Sequence, residues 1–147
     1  MIEGLEHVAL SVSDMDRSLR FYRDLIGMPL VRVIEPGQAG DLGSVVGIEG
    51  AQARIAHLQM GGFMLELFEY TAPRGRRIPV DRTQADGGFT HIGFRTDDVR
   101  ADHRRLLKAG VEFVGEPVEF RPGVWIVYFL GPDGEVCEFR QRPVESS

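Results

Sequence analysis

Cysteine is nearly missing: Cys137 is the single thiol in 147 residues. No internal disulfide can form, which fits a reducing cytoplasm. Long apolar runs are missing too, so nothing approaches the ~20 residues that a membrane-spanning helix needs. The first residues, Met1-Ile2-Glu3-Gly4, lack the basic-then-apolar layout of an export signal. Positive charge is in the minority. Seventeen Lys and Arg against 22 Asp and Glu leave a net charge of −5, without the basic footprint of a nucleic-acid or membrane-surface binder. What is present, 43% apolar and 27% charged residues, is ordinary for a globular chain. The length suits one domain spanning 1–147, or two very small modules sharing a core. The expectation is a cytoplasmic protein with neither nucleic-acid nor membrane partners.

The chain repeats itself. Leu5–Ser13 alternates as a strand, and Ser13 or Asp14 is placed to cap the helix that follows. Met15, Leu19, Tyr22, Leu25 and Ile26 recur at helical spacing up to Gly27, and Pro29 forbids continuation. Leu30–Ile34 reads as a strand and Glu35–Ser44 as a loop. Arg54–Gln59 and Phe63–Tyr70 read as a hairpin closed at Met60-Gly61-Gly62. Thr71–Gly88, with its Pro, Gly and charges, is a connecting segment. The order then returns. Thr90–Arg95 is a strand, and Thr96 or Asp97 caps a helix ending at Ala109 and Gly110. Val111–Gly115, Val118–Arg121, Val124–Leu130 and Glu135–Gln141 are strands, the last two joined at Gly131-Pro132-Asp133-Gly134. Module one covers about 5–70 and module two about 89–141, each β-α-β-β-β and together α+β. With two copies this is duplication rather than a solenoid.

Each module carries a His in its first strand (His7, His91) and a Glu in its last (Glu66, Glu138). A carboxylate on an apolar strand face is costly to bury without a partner. A divalent metal removes that cost, and two imidazoles with two carboxylates suit Zn, Ni, Co, Fe or Mn. Alternation puts Met64 and Phe68 on the face of Glu66, and Cys137 away from Glu138.

His7-Val-Ala-Leu-Ser-Val-Ser-Asp-Met-Asp-Arg-Ser-Leu-Arg-Phe-Tyr, Met64-Leu-Glu66-Leu, His91-Ile-Gly-Phe and Gly131-Pro-Asp-Gly-Glu-Val-Cys-Glu138-Phe resemble the vicinal oxygen chelate superfamily. It includes glyoxalase I, methylmalonyl-CoA epimerase, extradiol dioxygenases and bleomycin- or fosfomycin-resistance proteins. The resemblance covers about Leu5 to Gln141. It implies paired βαβββ modules curled into a half-open mixed β-barrel around a metal cleft, commonly in a homodimer. It also implies that His7, Glu66, His91 and Glu138 are the ligands of one divalent ion. The chemistry implied is that of a lyase or isomerase, epimerase- or glyoxalase-like. It takes a proton from the carbon beside a carbonyl of a small chelated substrate and stabilises the enolate. Glu138 is the first candidate for the base and Glu66 the second.

Arg54 stands about where some epimerases carry a second acidic base. It cannot act as a base near neutral pH, but it could bind a substrate anion or simply lie in water. Tyr128 is placed to donate to a bound oxyanion, and Met64 and Phe68 to line the cleft. His57, of opposite parity to Arg54, is a possible extra acid or base. Trp125 reads as packing, and Arg74, Arg76 and Arg77 as a solvated linker. Two other classes stay open: a non-catalytic binding or resistance protein, and an Fe(II) ring-cleaving dioxygenase.

Overall fold

The computed structural model describes residues 1–143. The chain divides into two compact units, Met1–Arg77 and the remainder from Ile78. Unit one contains β1 (His7–Ser11), α1 (Met15–Leu19), β2 (Leu30–Ile34), α2 (Leu42–Val46), β3 (Gln52–Met60) and β4 (Phe63–Ala72). Its sheet order is β1-β4-β3-β2, with β1 parallel to β4 and the other pairs antiparallel. A parallel pair needs a crossover, and α1 lies on the route out of β1. Its cap is Asp14, whose carboxylate accepts from the Arg17 amide at 2.9 Å. The helix widens to π-type turns over Arg20–Leu25 and stops before Gly27, which takes φ 90°. Ala56 pairs with Leu67 and Leu58 with Leu65. These four share one sheet face and are buried, as are Met15, Leu19 and Tyr22 of the helix. The opposite face carries Glu66.

Gly61 and Gly62, at φ 56° and 81°, supply the two left-handed residues that a tight hairpin turn requires. The stretch expected to be a loop behaves differently, because its end forms α2. The Asp41 carboxylate accepts from the Ser44 amide, and Gly47 closes the helix at φ 69°. Cap and stop are only a few residues apart, too close for an apolar period to show. Leu42 of α2 joins Ala51, Ala53 and Ile55 in a small core on the Glu66 side of the sheet.

Unit two contains β5 (Ile92–Arg95), α3 (Val99–Lys108), β6 (Val118–Arg121), β7 (Val124–Leu130) and β8 (Val136–Gln141). The order β5-β8-β7-β6, with β5 parallel to β8, repeats the topology of unit one. Both sheets are four-stranded, mixed and open at their edges, and the fold class is α+β. The cap of α3 is Asp98, which accepts from the Ala101 amide at 2.9 Å, one residue later than expected. The Thr96 hydroxyl instead donates to Asp102. Val111–Gly115 is not a strand; a single bridge joins Phe113 to Phe129.

Val99 and Leu106 of α3 are buried, as are Phe129, Cys137 and Phe139 of the strands. The Phe129 and Phe139 rings are 4.5 Å apart. Cys137 therefore packs on the side away from Glu138, as alternation requires. Among the described residues no helix is long and apolar enough to cross a membrane.

The turn between β7 and β8 rests on Glu135. Its buried carboxylate accepts from the Asp133 amide at 2.8 Å and lies where a side chain on Gly131 would have to go. Gly131→Ala should therefore displace Glu135 and cost about 1–3 kcal/mol, read as a lower urea midpoint with an unchanged slope.

Candidate active site

In unit one, β4 presents Glu66 and β1 presents His7. The parallel register sets His7 beside Met64 and Ala9 beside Glu66. His7 Nε2 lies 3.3 Å from Glu66 Oε2, and its Nδ1 lies 3.2 Å from Glu6 Oε2. Carboxylates only accept, and a neutral imidazole has one N–H to give. The second nitrogen is satisfied by a second proton or by a cation.

His57, directly across the sheet on β3, holds the other oxygen of Glu66. Its Nε2 is 3.0 Å from Oε1. Arg32 Nε donates to His57 Nδ1 at 3.0 Å. An arginine N–H can only donate, so Nδ1 accepts and the imidazole proton sits on Nε2, pointing at Glu66. Burial holds His57 below its ordinary imidazole pKa; Glu66 opposes this, while the Arg32 and His7 charges add to it. His57 thus serves as a neutral donor to Glu66.

Unit two repeats the His–Glu pair with different partners around it. His91 Nε2 lies 3.0 Å from Glu138 Oε2. Its Nδ1 is 3.0 Å from the Thr90 hydroxyl, which can donate or accept and so serves either tautomer. Tyr128 stands opposite Glu138 on β7, where unit one has His57 opposite Glu66. The Tyr128 hydroxyl donates to Glu138, and burial together with the Glu138 charge raises its pKa. The Tyr128 and His91 rings lie 4.9 Å apart. Beside this face, a cavity of ≈ 270 Å³ opens between the connecting segment (Val80, Arg82, Gln84) and Leu130 and Val136.

The residues present fit a divalent ion. Two donors each about 2.0–2.2 Å from one ion and at right angles to each other lie roughly 3 Å apart, the His–Glu separation found in both units. Each His also has a separate partner for its Nδ1, which leaves Nε2 for the ion. Among the described residues no group of three or more His, Cys, Asp or Glu gathers at one point to hold a metal. Unit one by itself brings His7 and His57 to Glu66, and unit two brings His91 to Glu138.

Residues 4–139 match the Glyoxalase/Bleomycin resistance protein/Dioxygenase superfamily. The chain belongs to that superfamily. A 2-epi-5-epi-valiolone epimerase of Actinomyces sp. is 34% identical, over 95% of this chain and 80% of the relative. A lactoylglutathione lyase of Haemophilus influenzae is 27% identical, over 90% of this chain and 88% of the relative. Among solved structures, a glyoxalase family protein from Bacillus cereus superposes with a TM-score of 0.88 at 21% identity, covering 98% of this chain and 97% of that one. This last likeness speaks for the fold.

Arg54 is a correction to the substrate-binding set within this superfamily fold. It pairs with Glu69, one strand position out of phase with Glu66, and so lies on the opposite face. There it donates to Asp16 at 2.8 Å and to Glu35 at 3.3 Å. His57 takes the place expected of it, and the register shows why. Odd-numbered residues of β3 pair with even-numbered residues of β4, a phase that depends on the hairpin turn. Met64 and Phe68 share the Glu66 face, but Phe68 packs into the Leu42 and Ile55 core and stacks on Tyr70 at 5.9 Å. Trp125 lies under the Arg100 guanidinium, 4.6 Å from the ring centroid. Arg74, Arg76 and Arg77 are exposed. Arg32 was not singled out in the sequence; its only signal there was a charge within an apolar strand.

Two substitutions separate the faces. Arg54→Met removes partly exposed pairs and should cost less than about 1 kcal/mol. His57→Phe leaves Arg32 and Glu66 without their shared partner and should cost about 2–4 kcal/mol. Urea unfolding of both variants, free of added metal, measures the difference.

Proposed function

We propose that the chain is a divalent-metal-dependent lyase or isomerase. It moves a proton on the carbon beside a carbonyl of a small substrate, with His7, Glu66, His91 and Glu138 as ligands of one ion. The observation that carries this reading is the His–Glu pair repeated at matching register in two units, each carboxylate held by a donor on the adjacent strand. The Actinomyces relative is named an epimerase and the Haemophilus one a lyase. Proton movement beside a carbonyl is a step that both kinds of outcome can share.

A bound divalent ion would supply Lewis-acid stabilisation to two neighbouring substrate oxygens. The chain's own residues do the rest. Glu138 is the general base. Its carboxylate is buried beside His91 and Tyr128, and a carboxylate held in this way can act as a general base toward a substrate C–H. Tyr128 steadies Glu138 and has a hydroxyl proton to offer a substrate oxygen. Glu66, held through His57 by Arg32, is the second carboxylate and the candidate for returning a proton at another position.

Elemental analysis of the purified chain tests the ligand set. The expected result is one equivalent of Zn, Ni, Co or Mn, lost in a His7→Ala, His91→Ala variant. Iron, with oxygen uptake on a catechol, would point to a dioxygenase. No metal after reconstitution with each ion would leave a ligand-binding protein as the better reading. Glu138→Gln tests the base. It should keep the fold and lower turnover of a carbonyl substrate with an acidic adjacent C–H by about 10²–10⁴; wild-type turnover would remove Glu138 from that role.

A further inference from the structure

Beyond the His57 and Tyr128 positions, a second pair breaks the repeat. Four residues past each first-strand His and two past each last-strand Glu, the chains lie side by side. In unit one the pair is Ser11 with Phe68, and in unit two it is Arg95 with Arg140. The phase of β5 and β8 puts both arginines on the face of Glu138, His91 and Tyr128.

The arrangement is unfavourable by itself. Like charges directly opposite in a sheet repel. The Arg140 Nε–H is buried with nothing to donate to, and a buried unmet donor bears its full desolvation cost. Among the described residues neither guanidinium has an ion-pair partner, although Arg140 acts electrostatically on Tyr128. The nearest acid on the same strand face, Glu138, is already held by His91 and Tyr128. An anion bridging the two guanidinia removes both costs, and guanidinium matches carboxylate and phosphate oxygens two by two.

We propose that Arg95 and Arg140 form the anion-binding subsite of the substrate cleft, and that the substrate is a carbonyl compound bearing a carboxylate or phosphate. Same-face neighbours on a strand are about 6.5–7 Å apart. The anion therefore sits a few bonds from the carbon whose proton Glu138 takes. The meaning for catalysis rests on the proposed role of Glu138, but capture of the anion needs neither metal nor turnover and is measured separately.

The test is an NMR titration of the full chain, metal-free, following arginine side-chain Nε–H signals with inorganic phosphate and with acetate as probes. The expected result is a saturable shift of the Arg140 signal, with affinity at least about ten-fold weaker in Arg95→Gln. Arg140→Lys keeps the charge and most of the packing but loses the paired donors, and should bind measurably more weakly than wild type. Tighter phosphate binding would indicate a phosphate ester, tighter acetate binding a carboxylic acid. Shifts that do not saturate, or that match those of the exposed Arg74, Arg76 and Arg77, would overturn the proposal. So would wild-type affinity in both variants. An inactive protein that still captures phosphate would overturn the catalytic reading and leave this one standing.

Discussion

Two carboxylates removed from water set the terms for this chain. Glu66 and Glu138 have side chains only 14% and 8% exposed, on strands whose remaining residues are largely apolar. A bare carboxylate there costs several kcal/mol. Each neighbouring strand therefore supplies a donor: His57 and His7 for Glu66, Tyr128 and His91 for Glu138. The parallel pairing of first and last strands brings each His to its Glu, and it exists only because a helix carries the chain from one strand end to the other. The buried faces under α1 and α3 thus have a chemical consequence on the far side of the sheet.

The donors differ in kind. A phenol donates one proton and is bulky, while an imidazole with its proton fixed by an arginine is a donor with a second connection behind it. Arg32, His57 and Glu66 form a line in which the outer group fixes the tautomer of the middle one and the middle one orients the carboxylate. Supports of this sort set the direction of a ligand's lone pairs. They also give the two carboxylates different surroundings, a condition for two similar groups to take different parts in moving a proton.

Most of the fold was legible because it is periodic and repeated. The strands, the long helices, the hairpin glycines and the four His and Glu positions all follow from alternation, capping residues and duplication. What escaped was short or depended on phase between elements. The five-residue α2 has a cap and a stop but no room for a period. Val111–Gly115 has strand-like residues but pairs through one bridge, since only Glu112 and Val114 bond to β7 while the Val111 amide donates back to Leu106 of α3. Alternation puts Arg54 and His57 on opposite faces, yet which face holds Glu66 depends on the register across the Gly61-Gly62 turn. A one-residue change there exchanges the two sets. Trp125 met a guanidinium instead of the interior alone because Arg100 of α3 lies over it, a contact between elements that strand parity does not contain.

Duplication has also been followed by divergence around the two carboxylates. Two identical units would present two identical faces. The copies here share what holds the carboxylates and differ in what surrounds them. Across from its Glu, unit one has His57 and unit two has Tyr128; farther along the strands, unit one has Ser11 with Phe68 and unit two has Arg95 with Arg140. In unit one that farther position is covered, because Phe68 packs against the core cluster to which Leu42 of α2 belongs, an element without a counterpart among the described residues of unit two. In unit two it is open and doubly cationic. The same register position is thus closed by apolar packing in one copy and left charged in the other, so the asymmetry between the units is built from side chains while the backbone pairing that carries His and Glu stays the same in both.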